Sequence, residues 1–170
     1  MERIAKFETV TRSRFVSDFT KTFEDMSEEA AEKAYDRITL PVRATKGSAG
    51  YDFRSTRDFS LAPGETIMIP TGIRVRMRGD YCLMIFPRSG LGFKYRLQMN
   101  NTVGIIDSDY YNSDNEGHIF IKITNDSKEG KTVVLKEGDA FAQGIFMNFG
   151  VTEDDEAYGV RNGGLGSTTD

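Results

Sequence analysis

Residues 87–110, PRSGLGFKYRLQMNNTVGIIDSDY, carry polar and reactive side chains at both ends. At the start, Arg88, Ser89 and Gly90 place a guanidinium, a hydroxyl and an unhindered backbone within three residues. A guanidinium binds two phosphate oxygens through parallel hydrogen bonds, and glycine lets the main chain approach the same group closely. This end of the segment therefore predicts a phosphate-binding site.

At the other end, Asp107 follows an apolar pair, as it would where a strand runs into a turn. An Asp at that position is a candidate for activating a water molecule, and Tyr110 offers a flat ring to a sugar or base. The amide of Asn101 has the donors and acceptors that recognise a base edge. Each residue alone also fits a strand, a turn and a second strand, with Arg88 as a surface charge. Their combination at this spacing favours a binding site.

Two parts of this segment, PRSGLG (87–92) and NNTVGIIDSDY (100–110), resemble the second and third motifs of the trimeric dUTP pyrophosphatases (dUTPases). The other motifs of that family follow in order: GSAGYDF (47–53), GDAFAQ (138–143) and RNGGLGST (161–168). The resemblance covers roughly residues 40–168 and implies an antiparallel jelly-roll β-sandwich that assembles as a homotrimer. It also implies hydrolysis of dUTP to dUMP and pyrophosphate, assisted by Mg²⁺.

The resemblance gives each motif residue an expected role. Asp107 would hold and deprotonate the water that attacks the α-phosphorus, whereas Asp109 would be structural. Mg²⁺ would be held by phosphates and waters without a direct protein ligand; Asp52 would touch its water shell, orient a neighbour or be purely structural. The implied substrate contacts are Arg88, Ser89, Gly90 and Gln143 for phosphates, Asn101, Gly104, Ile105, Ile106 and Phe120 for uracil, Tyr110 for deoxyribose, Leu165 at the uracil-stacking position, and Arg161, Gly166, Ser167 and Thr168 for the β- and γ-phosphates.

The chain departs from the family pattern in two places. Leu165 stands where many members carry a Phe that stacks on uracil, and leucine lacks the flat π-face. We hypothesise that Phe93 or Tyr95 supplies the stacking. In addition, residues 111–116, YNSDNE, intervene before Gly117. This added loop borders the pocket, borders a neighbouring subunit, or is a tolerated surface insertion.

Composition limits the class of protein. The 170 residues fit one domain, and a net charge of −4 without a long basic run makes a nucleic-acid partner unexpected. Cys82 is the single cysteine, so no internal disulfide forms, and we predict a buried strand thiol. His118, the single histidine, cannot build a zinc site with one cysteine and is predicted to be an ordinary polar strand residue. No apolar run reaches membrane-spanning length and the N-terminus lacks a signal-peptide core, so we expect a soluble, cytoplasmic protein.

The N-terminal part contains a first predicted strand, residues 3–10, and then a helical insertion, residues 11–38. Apolar residues recur there at steps of three and four, the spacing of an amphipathic helix: Val16, Phe19, Phe23, Met26, Ala30, Ala34 and Ile38. Both one helix from about Asp18 to Arg37 and a break near Ser27, a good N-cap residue, fit the pattern. The insertion would cover the body, form a subunit contact or bind a protein partner.

From residue 40 onward, short β-rich runs alternate with turn residues, which predicts an antiparallel sandwich. The predicted strands are 40–44, 51–54, 59–61, 66–70, 73–77, 81–86, 96–100, 118–124, 132–135 and 141–148. Residues 1–150 would form the single domain, and residues 151–170 a flexible arm that carries the fifth motif and orders over bound nucleotide.

Two other functions compete with dUTP hydrolysis. The dCTP deaminases share the implied fold, but they carry a Glu where this chain has Lys122, and a further arginine where it has Leu91, Gly92 and Phe93. A non-catalytic jelly-roll nucleotide-binding or regulatory protein could use residues 11–38 to bind a partner. The intact motif residues favour the enzyme over both alternatives.

Overall fold

Short antiparallel strands make up most of the computed structural model, which describes residues 1–163. The strands are β1 (Ala5–Thr9), β2 (Val42–Arg43), β3 (Tyr51–Arg54), β4 (Phe59–Leu61), β5 (Thr66–Pro70), β6 (Ile73–Met77), β7 (Tyr81–Pro87), β8 (Leu97–Met99), β9 (Gly104–Ile106), β10 (Phe120–Asn125), β11 (Val133–Leu135) and β12 (Ala140–Asn148). The helices are α1 (Arg12–Thr22), α2 (Glu28–Asp36), α3 (Ser89–Tyr95) and a 3₁₀ helix (Ser108–Asn112).

The strands form a five-stranded sheet in the order β2-β3-β12-β7-β9, a three-stranded sheet β5-β10-β8, and the pairs β1-β6 and β11-β4. Every described pairing is antiparallel. This confirms the predicted mainly-β jelly-roll class. Among the described residues, no helix is long and apolar enough to cross a membrane.

Alternation of side chains along the strands builds the core. In β10, Ile121 and Ile123 are fully buried while Lys122 between them is exposed, as expected for a strand with one face on the core. At the end of β10, the amide of buried Asn125 donates to the carbonyls of Leu61 and Lys131, at 2.8 and 2.9 Å. These bonds satisfy a polar group that would otherwise be costly inside the core.

The helical insertion packs against the body of its own chain. The helix pattern breaks at Ser27, whose side chain accepts a hydrogen bond from the backbone N–H of Ala30 and caps α2. The break near Ser27 is thus confirmed, but the helical region begins at Arg12 rather than near Asp18. Phe15 and Phe19 of α1 are completely buried, so burial of this apolar face, more than helix propensity, holds the insertion in place.

His118 corrects the prediction of an ordinary polar strand residue. It lies before β10, is 0% exposed, and accepts the backbone N–H of Gly72 at its Nε2 atom over 2.8 Å. An accepting Nε2 requires the proton to be on Nδ1, which therefore donates to Asp18 of α1 over 2.7 Å. Burial lowers the pKa of His118 despite the neighbouring carboxylate of Asp18, in agreement with a neutral ring.

Helix α3 was not predicted. The segment after β7 fits a strand and a turn in sequence, but Ser89–Tyr95 turn helically and end at Arg96, whose φ of 52° lies in the left-handed region. A left-handed residue is a common helix terminator, although glycine or asparagine usually occupies it. No sequence signal of that kind marked the end of α3.

We expect the free energy of unfolding to fall as the pH is lowered from about 7 to about 5. Because the folded-state pKa of His118 is lowered, its contribution is fully present above the ordinary pKa of about 6.5 and is lost as the pH falls below that value. Each unit of lowering is worth about 1.4 kcal/mol. Urea unfolding at fixed protein concentration measures the slope. The His118→Gln control should lose this dependence of the unfolding free energy on pH. A wild-type unfolding free energy that does not change between about pH 7 and pH 5 would contradict a buried neutral His118.

Candidate functional site

Three separate parts of the sequence meet at the end of β7. Gln143 of β12 lies opposite Asp52 of β3 on one side and Phe86 of β7 on the other. The side-chain amide of Gln143 donates to the carbonyl of Pro87 over 3.2 Å, and Nε of Arg88 lies 3.3 Å from a carboxylate oxygen of Asp52. Sheet register therefore brings these residues together, and we call Asp52, Arg88 and Gln143 the phosphate-side cluster.

The phosphate-side cluster is accessible to an anion. The Arg88 side chain is 45% exposed, whereas its partner Asp52 is 17% exposed. A surface cavity beside the cluster is lined by Arg88, Ser89, Gly90, Leu91, Leu135, Asp139 and Ala140. Asp52 therefore orients Arg88 from below and leaves donor atoms of the guanidinium free, an arrangement suited to an incoming phosphate.

A second cluster lies at the end of β9. Ile106 of β9 pairs with Leu83 of β7, and Asp107 follows directly, before the 3₁₀ helix. The Arg161 guanidinium forms an ion pair with Asp107 and another, at 2.8 Å, with Asp109. The side chains of the two aspartates are half exposed while that of Arg161 is 15% exposed. Asp109 thus binds Arg161 together with Asp107, a contact that the sequence did not indicate.

Tyr110 lies beside this carboxylate cluster with its ring buried. Its hydroxyl donates to the carbonyl of His118 over 2.8 Å and accepts from the amide of Asn115 over 2.7 Å. Burial raises the pKa of Tyr110, so the phenol stays protonated and keeps donating near neutral pH. The Arg161 guanidinium carbon is 5.9 Å from the ring centroid, which places Tyr110, Asp107 and Arg161 around one surface.

Cys82 corrects the prediction of a buried thiol. It is partly exposed on β7. Its neighbour Leu83 pairs with Ile106 of β9, and Asp107 directly follows Ile106. Burial, and then the negative charge of Asp107, raise the pKa of Cys82. The thiol is therefore a poor nucleophile at neutral pH.

The residues expected around uracil lie in the turn between β8 and β9, on β9, and at the start of β10. Asn101 is exposed in the turn, which is closed by Thr102 at a φ of 67°. Gly104 packs so tightly on β7 that an added Cβ would lie 3.2 Å from the Cβ of Ile85. Ile105 is half exposed, and the Phe120 ring packs against that of His118 with the ring centroids 4.5 Å apart and the planes tilted by 45°.

The two clusters stand at opposite ends of β7. Asp107 follows Ile106, which pairs with Leu83 near the start of β7. Arg88 follows Pro87, the last residue of the same strand. The five residue steps from Leu83 to Arg88 span about 17 Å at a rise of about 3.3 Å per residue. One chain therefore keeps its phosphate-side cluster well apart from its own Asp107.

The contacts described above do not include several of the predicted site residues. Leu165, Gly166, Ser167 and Thr168 lie outside the described residues. Phe93 is 93% exposed on α3, and its stacking role, like that of Tyr95, stays a prediction. Within residues 1–163, no group of three or more His, Cys, Asp or Glu side chains is placed to hold a metal ion.

Sequence reasoning missed four residues that support Tyr110: Asp18, Asn115, Glu116 and His118. Asp18 lies on the inserted helix, about a hundred residues from its partner, and nothing local signals such a contact. A lone histidine directly before the apolar run Ile119–Ile121 was the available hint, because a buried imidazole needs partners.

The fold and these clusters define an antiparallel β-sandwich protein with an exposed arginine beside a carboxylate at one end of β7 and a separate arginine-paired carboxylate at the other. Residues 36–169 match the model of the dUTPase family. The chain is 43% identical over 134 residues to the deoxyuridine 5'-triphosphate nucleotidohydrolase of Lactococcus lactis, which covers 77% of this chain and 88% of that protein. It is 40% identical over 137 residues to the same enzyme of Methylobacillus flagellatus, which covers 76% and 87%.

A crystal structure of the dUTPase from Streptococcus mutans superposes with a TM-score of 0.62 at 33% identity, covering 86% of this chain and 98% of that one. The dUTPase from phage phi11 of S. aureus, described with a species-specific insert, shares the fold at a TM-score of 0.62 and 21% identity, covering 92% and 97%. The chain belongs to the dUTPase family.

We expect Gly50→Ala to weaken the binding of inorganic pyrophosphate about tenfold, roughly the effect of losing one hydrogen bond to a charged group. A Cβ at Gly50 would overlap the amide oxygen of Gln143 and push this side chain away from the cluster. Gly47→Ala is the matched control, because nothing lies within 4 Å of a Cβ there. Calorimetric titration measures the affinity of each variant for pyrophosphate. Equal affinities of Gly50→Ala and Gly47→Ala would show that Gln143 does not contact the anion.

Proposed function

We propose that this chain hydrolyses dUTP to dUMP and pyrophosphate, with Asp107 as the base that activates the attacking water. Membership of the dUTPase family supports dUTP as the substrate. The observation that carries the assignment of the base is the position of Asp107, a half-exposed carboxylate that follows β9 and pairs with Arg161 beside Tyr110.

In the proposed reaction, a carboxylate oxygen of Asp107 takes a proton from water while the water oxygen bonds to the α-phosphorus. The bond from the α-phosphorus to the bridging oxygen breaks, and its electron pair leaves with pyrophosphate. Arg88, Gln143 and Arg161 donate hydrogen bonds to phosphate oxygens as charge moves onto the leaving group. Arg161 would leave Asp107 for the phosphates when nucleotide binds, which frees the carboxylate to act as a base.

The donor set fits a magnesium ion held mainly by the substrate. Mg²⁺ prefers oxygen ligands and keeps several waters, so phosphates with one nearby carboxylate suffice. The described residues offer no clustered carboxylate site, and Asp52 is the carboxylate next to the phosphate-side cluster. Bound there, Mg²⁺ would neutralise phosphate charge. The dUTPase from phage phi11 coordinates a structural Mg(II) ion.

Tyr110 and Asn101 would select the nucleoside. The Tyr110 ring, fixed by two hydrogen bonds to its hydroxyl, is suited to packing against deoxyribose and excluding a 2′-hydroxyl. Asn101 is exposed in the tight turn between β8 and β9, where its amide and the adjoining main chain can bind the uracil edge. The remaining substrate contacts, including residues 165–168, follow the family pattern as proposals.

We propose a homotrimer with active sites shared between chains. The separation of about 17 Å between Asp107 and Arg88 along β7 supports it, because one nucleotide must reach both groups. A neighbouring chain can place its phosphate-side cluster against Asp107, which a single chain cannot do without breaking its own sheet. The symmetry of a closed ring would repeat this arrangement at each interface.

The structure supports the two alternative functions, dCTP deamination and non-catalytic partner binding, less than dUTP hydrolysis. Lys122 is exposed on β10 where a deaminase would need an acid. A protein partner for residues 11–38 stays a prediction, since the buried Phe15, Phe19 and Phe23 face the chain's own body. The outer surface of the insertion instead carries ion pairs such as Arg12–Glu32.

Asp107→Asn should lower kcat for release of pyrophosphate from dUTP by at least about a hundredfold, because the base is lost while its size is kept. Asp109→Asn, which removes the charge of the other ion pair with Arg161, should cost less than about tenfold. The assay uses Mg²⁺ and compares dUTP with dCTP, dTTP and UTP. Full activity in Asp107→Asn would reject Asp107 as the base, and deamination of dCTP would reject the proposed reaction.

Mixing two inactive variants tests the shared site. If Asp107 and Arg88 act from different chains, co-expressed Asp107→Asn and Arg88→Ala chains should recover about a quarter of parental activity at an equal ratio, because that fraction of sites receives both intact groups. Each variant alone provides the control. No recovery in mixed trimers, verified by differential tagging, would place both groups in one chain.

A further inference from the structure

The helical insertion, residues 11–38, and the added loop, residues 111–116, meet in space. Glu116, in the loop added at residues 111–116, accepts hydrogen bonds from the backbone N–H of Thr11 at 2.8 Å and from its hydroxyl at 2.7 Å. Thr11 is the N-cap of α1, the first helix of the inserted residues 11–38. The left-handed backbone of Glu116, with a φ of 61°, turns the chain at this contact. The added loop therefore fixes the start of the added helix.

About two turns further along α1, a second contact joins the helix to His118, which follows the added loop. Asp18 accepts the Nδ1 proton of His118 over 2.7 Å and also binds Arg14 over 3.0 Å. Asp18 is 8% exposed and His118 is completely buried, so water cannot easily replace this bond. Helix α1 thus holds residues 116–118 from both sides of the turn.

Residues 115–118 in turn hold Tyr110. The Tyr110 hydroxyl donates to the carbonyl of His118 and accepts from the amide of Asn115. The other end of the Asn115 amide accepts from Ser113 at 2.7 Å and from the N–H of Gly117 at 3.1 Å. Every hydrogen bond that the structure gives the phenol therefore comes from the segment that α1 fixes.

We infer that Asn115 and Glu116 are positioning residues for sugar selection, because they tie the Tyr110 ring to helix α1 and keep it where a ribose 2′-hydroxyl would lie. The inference rests on the proposed function, in which Tyr110 packs against deoxyribose. Steric exclusion of one hydroxyl requires a wall that does not move, since apolar pockets otherwise reject such an addition weakly. The link through Glu116 and Asp18 supplies that rigidity.

The test compares sugar preference in matched variants. Asn115→Ala removes the bond to the phenol, and Glu116→Ala removes both bonds to Thr11. Their controls in the same loop are Asn112→Ala and Asp114→Ala, whose side chains are exposed and form no hydrogen bond with other described residues. The readouts are kcat/KM for dUTP and for UTP, and the affinities for dUMP and UMP by calorimetry, with thermal melts of each protein.

Asn115→Ala and Glu116→Ala should each raise the UTP-to-dUTP ratio of kcat/KM by at least about fivefold, the effect of one well-formed hydrogen bond. The gain should come chiefly from a lower KM for UTP, while kcat for dUTP changes little. Both controls should keep the parental ratio. If Asn115→Ala fails to fold, Asn115→Ser takes its place, and Glu116→Gln should give a smaller change than Glu116→Ala.

An unchanged ratio in folded Asn115→Ala or Glu116→Ala, with parental hydrolysis of dUTP intact, would overturn the inference and leave the proposed function standing. A lower melting temperature without a change in preference has the same meaning, because it shows a purely structural role. If the parent binds dUMP but does not hydrolyse dUTP, the ratio of dUMP to UMP affinity decides the inference by itself. A parent that neither hydrolyses dUTP nor binds dUMP would overturn both.

Discussion

Strand β7 is paired along one edge with β12 and along the other with β9, and the positions of Gln143, Arg88 and Asp107 depend on these two ladders. The β12 side brings Gln143 and Asp52 to the end that leads into Arg88. The β9 side delivers Asp107 to the other end. A slip of one residue in either ladder would turn Gln143 or Ile106 to the opposite face of the sheet, so the buried neighbours on β7 specify the site as well as the core.

The charged groups at the two ends of β7 are arranged differently. At one end an acid orients an exposed arginine, which leaves the guanidinium available to an anion. At the other end Arg161 forms ion pairs with two aspartates. Since the proposed reaction needs the charge of Arg161 on the phosphates, substrate would compete with Asp107 for the same guanidinium.

The helical insertion does more than cover apolar surface. Its phenylalanines join the core, and its polar groups reach the loop next to the site through Thr11 and Asp18. The interior bond between Asp18 and neutral His118 is specific in geometry, because Nε2 is already occupied by a backbone N–H. Such a bond fixes the orientation of two elements more tightly than apolar packing alone.

The motif residues, eleven of the twelve described strands and a helix break at Ser27 as one of two alternatives were available from the sequence, because alternation, turn residues and caps are local signals. Strand bounds at 51–54, 59–61, 66–70 and 73–77 agree with the structure. Helix α3, buried His118 and partly exposed Cys82 were predicted wrongly. The Glu116–Thr11 and Asp18–His118 contacts and the separation of Asp107 from Arg88 required the tertiary structure, since they join residues about a hundred positions apart or depend on sheet register. Local chemistry determined which residues matter, and only the packing of distant segments decided which of them meet.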